Sequence, residues 1–352
     1  MSDERSDETS GLLPGFVRRL ASPEIRTVLL CGCGGGFDFV HALMLWPELR
    51  RLGKQVVVGS YSFGDPRKIE QAETVFEVGS VVARRVTARS VPPRAYAPEV
   101  HAAAFLDQEF PADGPHAIYA YYARDFTVPL LTRFYGELVE RHAVDAVVLV
   151  DGGSDSLMAG DEEGLGDPLE DAVSLTAVAD LRGVKQKLLV TTGLGADRFN
   201  HVSDGATLRA IAELTRAGGF LGALGLEPEG PPVRFYRALI RFLDERHAFR
   251  SVVSASVLAA AEGHFGAAEV PPSLRGRVQP GELYLWPLMA MLFAFDVDRV
   301  VARSRFPGWI RDLPTVLECY QAISAAREAL PLRAVEPLPR HEDLRNPHGR
   351  FI

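Results

Sequence analysis

Residues 143–171 read AVDAVVLVDGGSDSLMAGDEEGLGDPLED. The first eight, 143–150, are continuous, Val-rich and flanked by turn signals. Such a run suits a strand covered on both faces, as in a parallel sheet. The character of the chain changes at Asp151. Residues 151–171 hold eight Asp or Glu in 21 positions and no Lys or Arg. A buried strand that opens into an acidic, Gly-rich turn is the feature around which the rest of the chain organises.

Shorter apolar runs of the same kind occur at 27–30, 55–59 and 187–192. Helical spacing spans 37–49, and further helical patterns cover 129–142, 168–181, 205–217, 233–247, 252–263 and 314–329. Alternation of strand and helix predicts an α/β fold with a doubly wound, mostly parallel, Rossmann-like sheet. Residues 86–116 and 265–282 carry Pro and Gly with little pattern and read as loops. The predicted organisation is a disordered or extended N-terminus over 1–22, one α/β domain over 23–330, and a Pro-rich tail over 331–352. Stretch 217–226, AGGFLGALGL, reads as helix capping and packing. Tyr119–Tyr122 could line a pocket, but core or surface packing accounts for them as well.

The 352 residues carry a formal net charge of −8. An acidic chain lacks the basic face that nucleic acid needs; its clearly basic stretches, 303–305 and 333–345, are short. The longest apolar run, 283–295, is too short for a bilayer and contains Pro287. The first ten residues are too polar for a signal peptide. Three cysteines are too few for a disulfide framework, and Cys31 and Cys33 read as small residues at a strand end. These features predict a cytoplasmic protein that binds neither nucleic acid nor membrane. They leave the oligomeric state open.

In open α/β sheets, ligands bind at the carboxyl ends of the strands. Four strand-end loops that carry both Gly and Asp are placed there, 31–38, 60–65, 151–163 and 191–197, and the first and the last two build the expected site. The first holds Gly34, Gly35 and Gly36 and leads to Asp38. Its spacing departs from the dinucleotide fingerprint, and the next strand ends without an acid, which argues against NAD. Asp38 either caps its helix or faces the cleft. Loop 151–163 holds Asp151, Gly152, Gly153, Ser154, Asp155 and Asp161. Two carboxylates about 5 Å apart repel by roughly 3 kcal/mol at an effective dielectric of 20. Such a cluster calls for Mg²⁺ or another divalent cation, a substrate ammonium or guanidinium, or backbone N–H donors of the Gly turns. Acids in a first helical turn account for Asp167, Glu170 and Asp171 without any ligand. Loop 191–197 holds Thr191, Thr192, Gly193 and Asp197. Ser154 also sits where a nucleophile elbow places its serine, with His201, His247 and His264 as candidate bases, but Ser156 replaces the final Gly of that motif.

CGCGGGFDF at 31–39, VDGGSDSLMAGDEEGLGDPLEDAVSL at 150–175, TTGLGADRF at 191–199, AGGFLGALGL and WPLMAMLFAFD at 286–296 together resemble the domain of unknown function 1152 family of prokaryotes. The likeness spans roughly residues 25–305. It departs from the family pattern where Cys33 interrupts the Gly run and Phe37 precedes Asp38. The resemblance implies a shared fold and site and names no reaction. DGGSDSLMAG is similar, over a short stretch, to the Asp-Gly-Gly-Asn-Glu loop of D-glutamate cyclase-like proteins. That likeness implies a lyase or cyclase acting on an amino acid.

The expected protein is a small-molecule enzyme of lyase/cyclase or hydrolase type. Gly34, Gly35, Gly36, Gly152, Gly153, Ser154, Thr191, Thr192, Gly193 and Asp197 would bind substrate, which could be an amino acid or an amine. Asp38, Asp151 and Asp155 would carry the chemistry. The same three with Asp161 would hold a metal. The alternative is a non-catalytic nucleotide- or metabolite-binding protein.

Overall fold

The structure is a computed structural model that describes residues 11–94, 96–246, 250–267, 269, 271–274, 276–278, 283–334 and 338. The expected disorder of 1–10, most of the Pro-rich tail and His247 lie outside the described residues. Among the described residues, nine strands form one sheet: β1 Thr27–Gly32, β2 Gln55–Ser62, β3 Glu73–Val78, β4 Val81–Thr87, β5 Ala117–Tyr122, β6 Ala146–Gly152, β7 Gln186–Thr192, β8 Phe220–Gly225 and β9 Met291–Asp296. Their order is β3-β4-β5-β2-β1-β6-β7-β9-β8. The five central strands pair in parallel, and the pairings toward both edges are antiparallel.

Among the described residues, twelve helices flank the sheet. The first six are α1 Gly15–Ala21, α2 Asp38–Leu43, α3 Trp46–Arg51, α4 Pro98–Glu109, α5 Val128–His142 and α6 Pro168–Asp180. The remainder are α7 Asp204–Arg216, α8 Pro231–Arg246, α9 Val252–Ala261, α10 Val297–Arg303, α11 Phe306–Ile310 and α12 Val316–Glu328. Residues of α1–α4, α8 and α9 pack with one set of strand side chains. Residues of α5–α7 and α10–α12 pack with the other. Both faces are therefore covered, which is why β1 and residues 146–151 of β6 are buried throughout.

The structure corrects several sequence expectations. Residues 15–21 form a helix with Phe16 and Leu20 buried, in place of an extended lead-in. The helix expected over 37–49 is two short ones. Pro47 lacks the N–H that a helix interior needs, so it sits in the first turn of α3. Residues 86–116 contain the end of β4 and all of α4. The Ala-rich segment AAAF in α4 has no polar stripe because α4 lies between β4, β5 and α8. Residues 220–225 are edge strand β8, while Gly218, at φ +70°, ends the preceding helix as expected. Tyr119 and Tyr121 are core residues; the hydroxyls of Tyr121 and Tyr135 bond at 2.5 Å.

Chain order creates a topological switch point between β1 and β6. From β1 the chain moves outward to β2, and from β6 it moves the opposite way to β7. Loops leaving β1 and β6 thus diverge at a switch point and open a crevice at their carboxyl ends.

Candidate carboxylate site

Three backbone bonds build the crevice. Cys33 N–H donates to Val150 O at 2.8 Å and ties the first loop to β6. Gly34 N–H donates to Oδ2 of Asp38 at 2.8 Å, and Gly152 N–H donates to Oδ1 of Asp38 at 3.1 Å. Asp38 stands in the first turn of α2. Its carboxylate therefore bridges the two loops, and its oxygens take N–H groups of the loops.

Asp151 is the penultimate residue of β6 and is buried, with the Ser156 hydroxyl donating to its Oδ2. Asp171 lies in the first turn of α6 and is 4% exposed. The Cys33 thiol donates to it. Its Oδ1 is buried and has no hydrogen-bond partner. One oxygen each of Asp38, Asp151 and Asp171 lie within 4.8 Å of one another. Asp155 opens the 3₁₀ turn 155–157 and accepts from Asp167 N–H at 3.2 Å. Asp197 accepts from Ser154 N–H at 2.6 Å.

Burial and mutual repulsion push every one of these carboxyls upward. Burial, then Asp155, raises Asp38 to about 7. Burial raises Asp155 to about 6. Burial, then Asp167, raises Glu170 to about 7. Asp151, Asp171 and Asp197 go well above the ordinary range through burial and then the Asp155 charge. A cluster that holds protons near neutrality releases them when a cation arrives.

His41 lies one turn after Asp38 on α2 and is buried. Burial lowers it to about 3, so it is neutral. Its Nδ1 bonds the Tyr236 hydroxyl at 2.7 Å. Its other edge lies against Gly152, where an added Cβ would collide with the ring at Nε2. Sequence pattern does not single out His41, although its i, i+3 relation to Asp38 puts both on one helix face. Nor does it separate Asp171 from an ordinary helix-end charge.

The remaining expected residues divide. Gly34 lies against both Asp38 and Asp171. Gly153 faces Asp197, and Thr191 and Thr192 end β7 beside Asp151 and Gly152. Thr192 Oγ1 is buried without a partner. Gly193, at φ +77°, packs on Val253 of α9. Gly35 and Gly36 seat the Phe63 ring. Ser154 is buried, and its hydroxyl pairs with Thr207 Oγ1 at 3.1 Å. Its partner is a threonine, where the serine-nucleophile alternative called for one of the candidate histidines. His201 is exposed, and His264 pairs with Glu269.

Asp161 lies elsewhere. It pairs with Arg305 at 3.0 Å and with Arg333 at 2.7 Å. Glu162, buried beside it, accepts from Ala159 and Gly160 N–H groups and pairs with Arg333 at 2.7 Å. Arg303 donates to Leu157 O, and Arg327 to Gly160 O. The acidic stretch thus splits. Its two ends feed the crevice, and its middle is clamped by arginines from the C-terminal third.

The fold and the crevice define a class: a mixed α/β chain with a buried carboxylate cluster at the switch point of its parallel strands. The chain belongs to the family described as Protein of unknown function (DUF1152), which matches residues 29–329. Comparison with curated proteins and with solved structures gave no match. Among the described residues, no helix is long and apolar enough to cross a membrane.

Proposed function

We propose that this chain is a cytoplasmic, Rossmann-like small-molecule enzyme whose crevice holds a divalent cation on Asp38, Asp151 and Asp171. The observation that carries this reading is the convergence of three carboxylate oxygens within 4.8 Å, together with a buried Asp171 oxygen that has no hydrogen-bond partner. Hard divalent cations take oxygen ligands. Two oxygens opposite each other across Mg²⁺ stand ~4.2 Å apart, and across Ca²⁺ ~4.6–5.2 Å, from the usual metal–oxygen distances. The spread found here fits either with small side-chain movement. The cation would polarise a substrate oxygen or lower the pKa of a bound water.

Asp155 supplies the proton-transfer group. Burial raises its carboxyl to about 6 in the cation-free cluster, so at neutral pH it is largely ionised and accepts a proton. Neutral His41 fixes the Asp38 side of the crevice through Gly152. An electrophilic cation beside a base suits lyase/cyclase or hydrolase chemistry. The short likeness of 151–160 to D-glutamate cyclase-like loops is in keeping with an amino-acid or amine-bearing substrate.

Thermal unfolding in EDTA, followed by add-back of Mg²⁺, Mn²⁺, Ca²⁺ or Zn²⁺, tests the reading. A cation at about 100 times its dissociation constant stabilises by roughly 2.7 kcal/mol. The expected result is a raised midpoint with one of these ions, lost in Asp151→Asn. No shift with any ion would overturn the metal assignment and leave a substrate ammonium as the partner of the cluster.

A further inference from the structure

Beside the carboxylates lies a separate cavity of about 240 Å³. Gly36 and Phe37 line it, and Asp38 is the next residue, so the two compartments are ~4–8 Å apart along the backbone. Its chemistry is opposite to that of the crevice. Phe63 and Phe199 line it while 53% and 39% exposed, so both rings offer free surface to a ligand. The backbone makes room for Phe63: a Cβ on Gly35 would collide with its ring, and one on Gly36 would fall 2.8 Å from it. Arg277 and Arg250, the latter also paired with Asp244 at 3.7 Å, supply positive charge, and Arg277 donates to the Arg250 carbonyl, which keeps the two residues together. Val252 and Val253, in the first turn of the ten-residue helix α9, complete this wall.

We propose that this cavity holds the ring and a phosphate of a nucleoside phosphate, an inference that rests on the cation reading only for its Mg²⁺ dependence. Aromatic faces stack on any nucleobase, and guanidinium groups with helix-start N–H groups recognise phosphate oxygens. The volume decides the ligand's reach. At about 240 Å³ it falls below the ~300–1,000 Å³ typical of a whole-ligand pocket, so it takes one ring and its anion while the rest extends toward Asp38. The carboxylates repel a bare phosphate there, and a divalent cation between them removes that repulsion. This names a substrate class for the site.

The test is calorimetric titration of the full chain with ADP, UDP and inorganic pyrophosphate, each in excess Mg²⁺ and in EDTA. Both nucleotides are expected to bind roughly tenfold or more tightly than pyrophosphate, because stacking adds to phosphate contact. The double variant Phe63→Ala/Phe199→Ala should remove that advantage and leave pyrophosphate affinity unchanged. Arg250→Ala/Arg277→Ala should weaken all three ligands. These residues are exposed or at the cavity rim, and unfolding midpoints report whether each variant folds. Equal affinity for pyrophosphate and nucleotides, no binding of any probe, or indifference to the arginine pair would overturn the proposal. The two readings separate cleanly. Nucleotide binding in EDTA with no Mg²⁺ effect sinks the cation site alone, and stabilisation by Mg²⁺ with no nucleotide binding sinks the ring pocket alone.

Discussion

Asp38 and Asp171 press their carboxylates against the same glycine. A Cβ on Gly34 would lie 2.9 Å from Oδ2 of Asp38 and 3.0 Å from Oδ1 of Asp171. The missing side chain is therefore the space in which the two acids meet. Gly34→Ala should overpack this point at a cost of about 1–3 kcal/mol. The fold should survive, and stabilisation by the divalent ion should be lost because the oxygens can no longer converge. Unfolding midpoints with and without the ion check this, and a variant that keeps the full ion-dependent shift would show that Asp38 and Asp171 do not share a ligand.

Protonation of the cluster predicts an inverted pH profile in EDTA. Asp38, raised to about 7, and Asp155, raised to about 6, bind protons more tightly folded than unfolded. Their stabilising contribution is complete below about pH 4 and is lost as pH rises through 6 and 7. At ~1.4 kcal/mol for each tenfold change in proton affinity, the loss is on the order of a few kcal/mol. Histidine works against this slope at lower pH. His41 is held at about 3, so its contribution is present above about 6.5 and lost as pH falls toward 3. The difference between wild type and Asp38→Asn cancels His41 and leaves Asp38 together with its repulsion of Asp151, Asp171 and Asp197. Denaturant unfolding at several pH values should show the variant gaining on wild type from pH 5 to pH 8. A constant difference across that range would remove the case for a proton-holding Asp38.

Arg333 ties the start of the C-terminal tail to the acidic loop. Its guanidinium meets Asp161, Glu162 and Glu213, and its N–H donates to Asp161 O. Glu162 is buried, so losing this partner is costly. It keeps two backbone donors and Arg303 at 3.6 Å, which holds the cost of Arg333→Ala to about 1–3 kcal/mol. Hydrogen exchange should rise at residues 159–163 and stay unchanged at β1 and β6. Unchanged exchange in the loop would mean that the other arginines suffice.

Much of this was legible in the sequence, for a physical reason. The central strands β1, β6 and β7 are buried on both faces and read as continuous apolar runs, and α5, α6 and α7 start within one residue of their expected positions. Asp38 and Asp151 stand out in the sequence because a carboxylate at a strand end or helix start beside glycines needs a partner, and the structure places an oxygen of each within 4.8 Å of Asp171. The features that escaped were set by distant contacts. Helix α4 has no polar stripe because it is enclosed. Strands β8 and β9 pair antiparallel across a long separation. Asp171 looked like a helix-end charge until the fold brought it to Gly34. Asp161 looked like a ligand until Arg305 and Arg333 arrived from the far end of the chain.

Ser154 separates cation chemistry from nucleophilic serine chemistry. Its hydroxyl is buried on Thr207, and its N–H is held by Asp197. A serine nucleophile needs a base within hydrogen-bond reach and an environment that stabilises a developing oxyanion. Here the neighbouring groups are carboxylates, which oppose an oxyanion. Ser154→Ala should cost about 0.5–1.5 kcal/mol through the lost hydrogen bond. It should leave the ion-dependent shift intact. A fluorophosphonate probe should fail to label the wild-type chain. Labelling that disappears in Ser154→Ala would reinstate the serine and displace Asp155 as the reacting group.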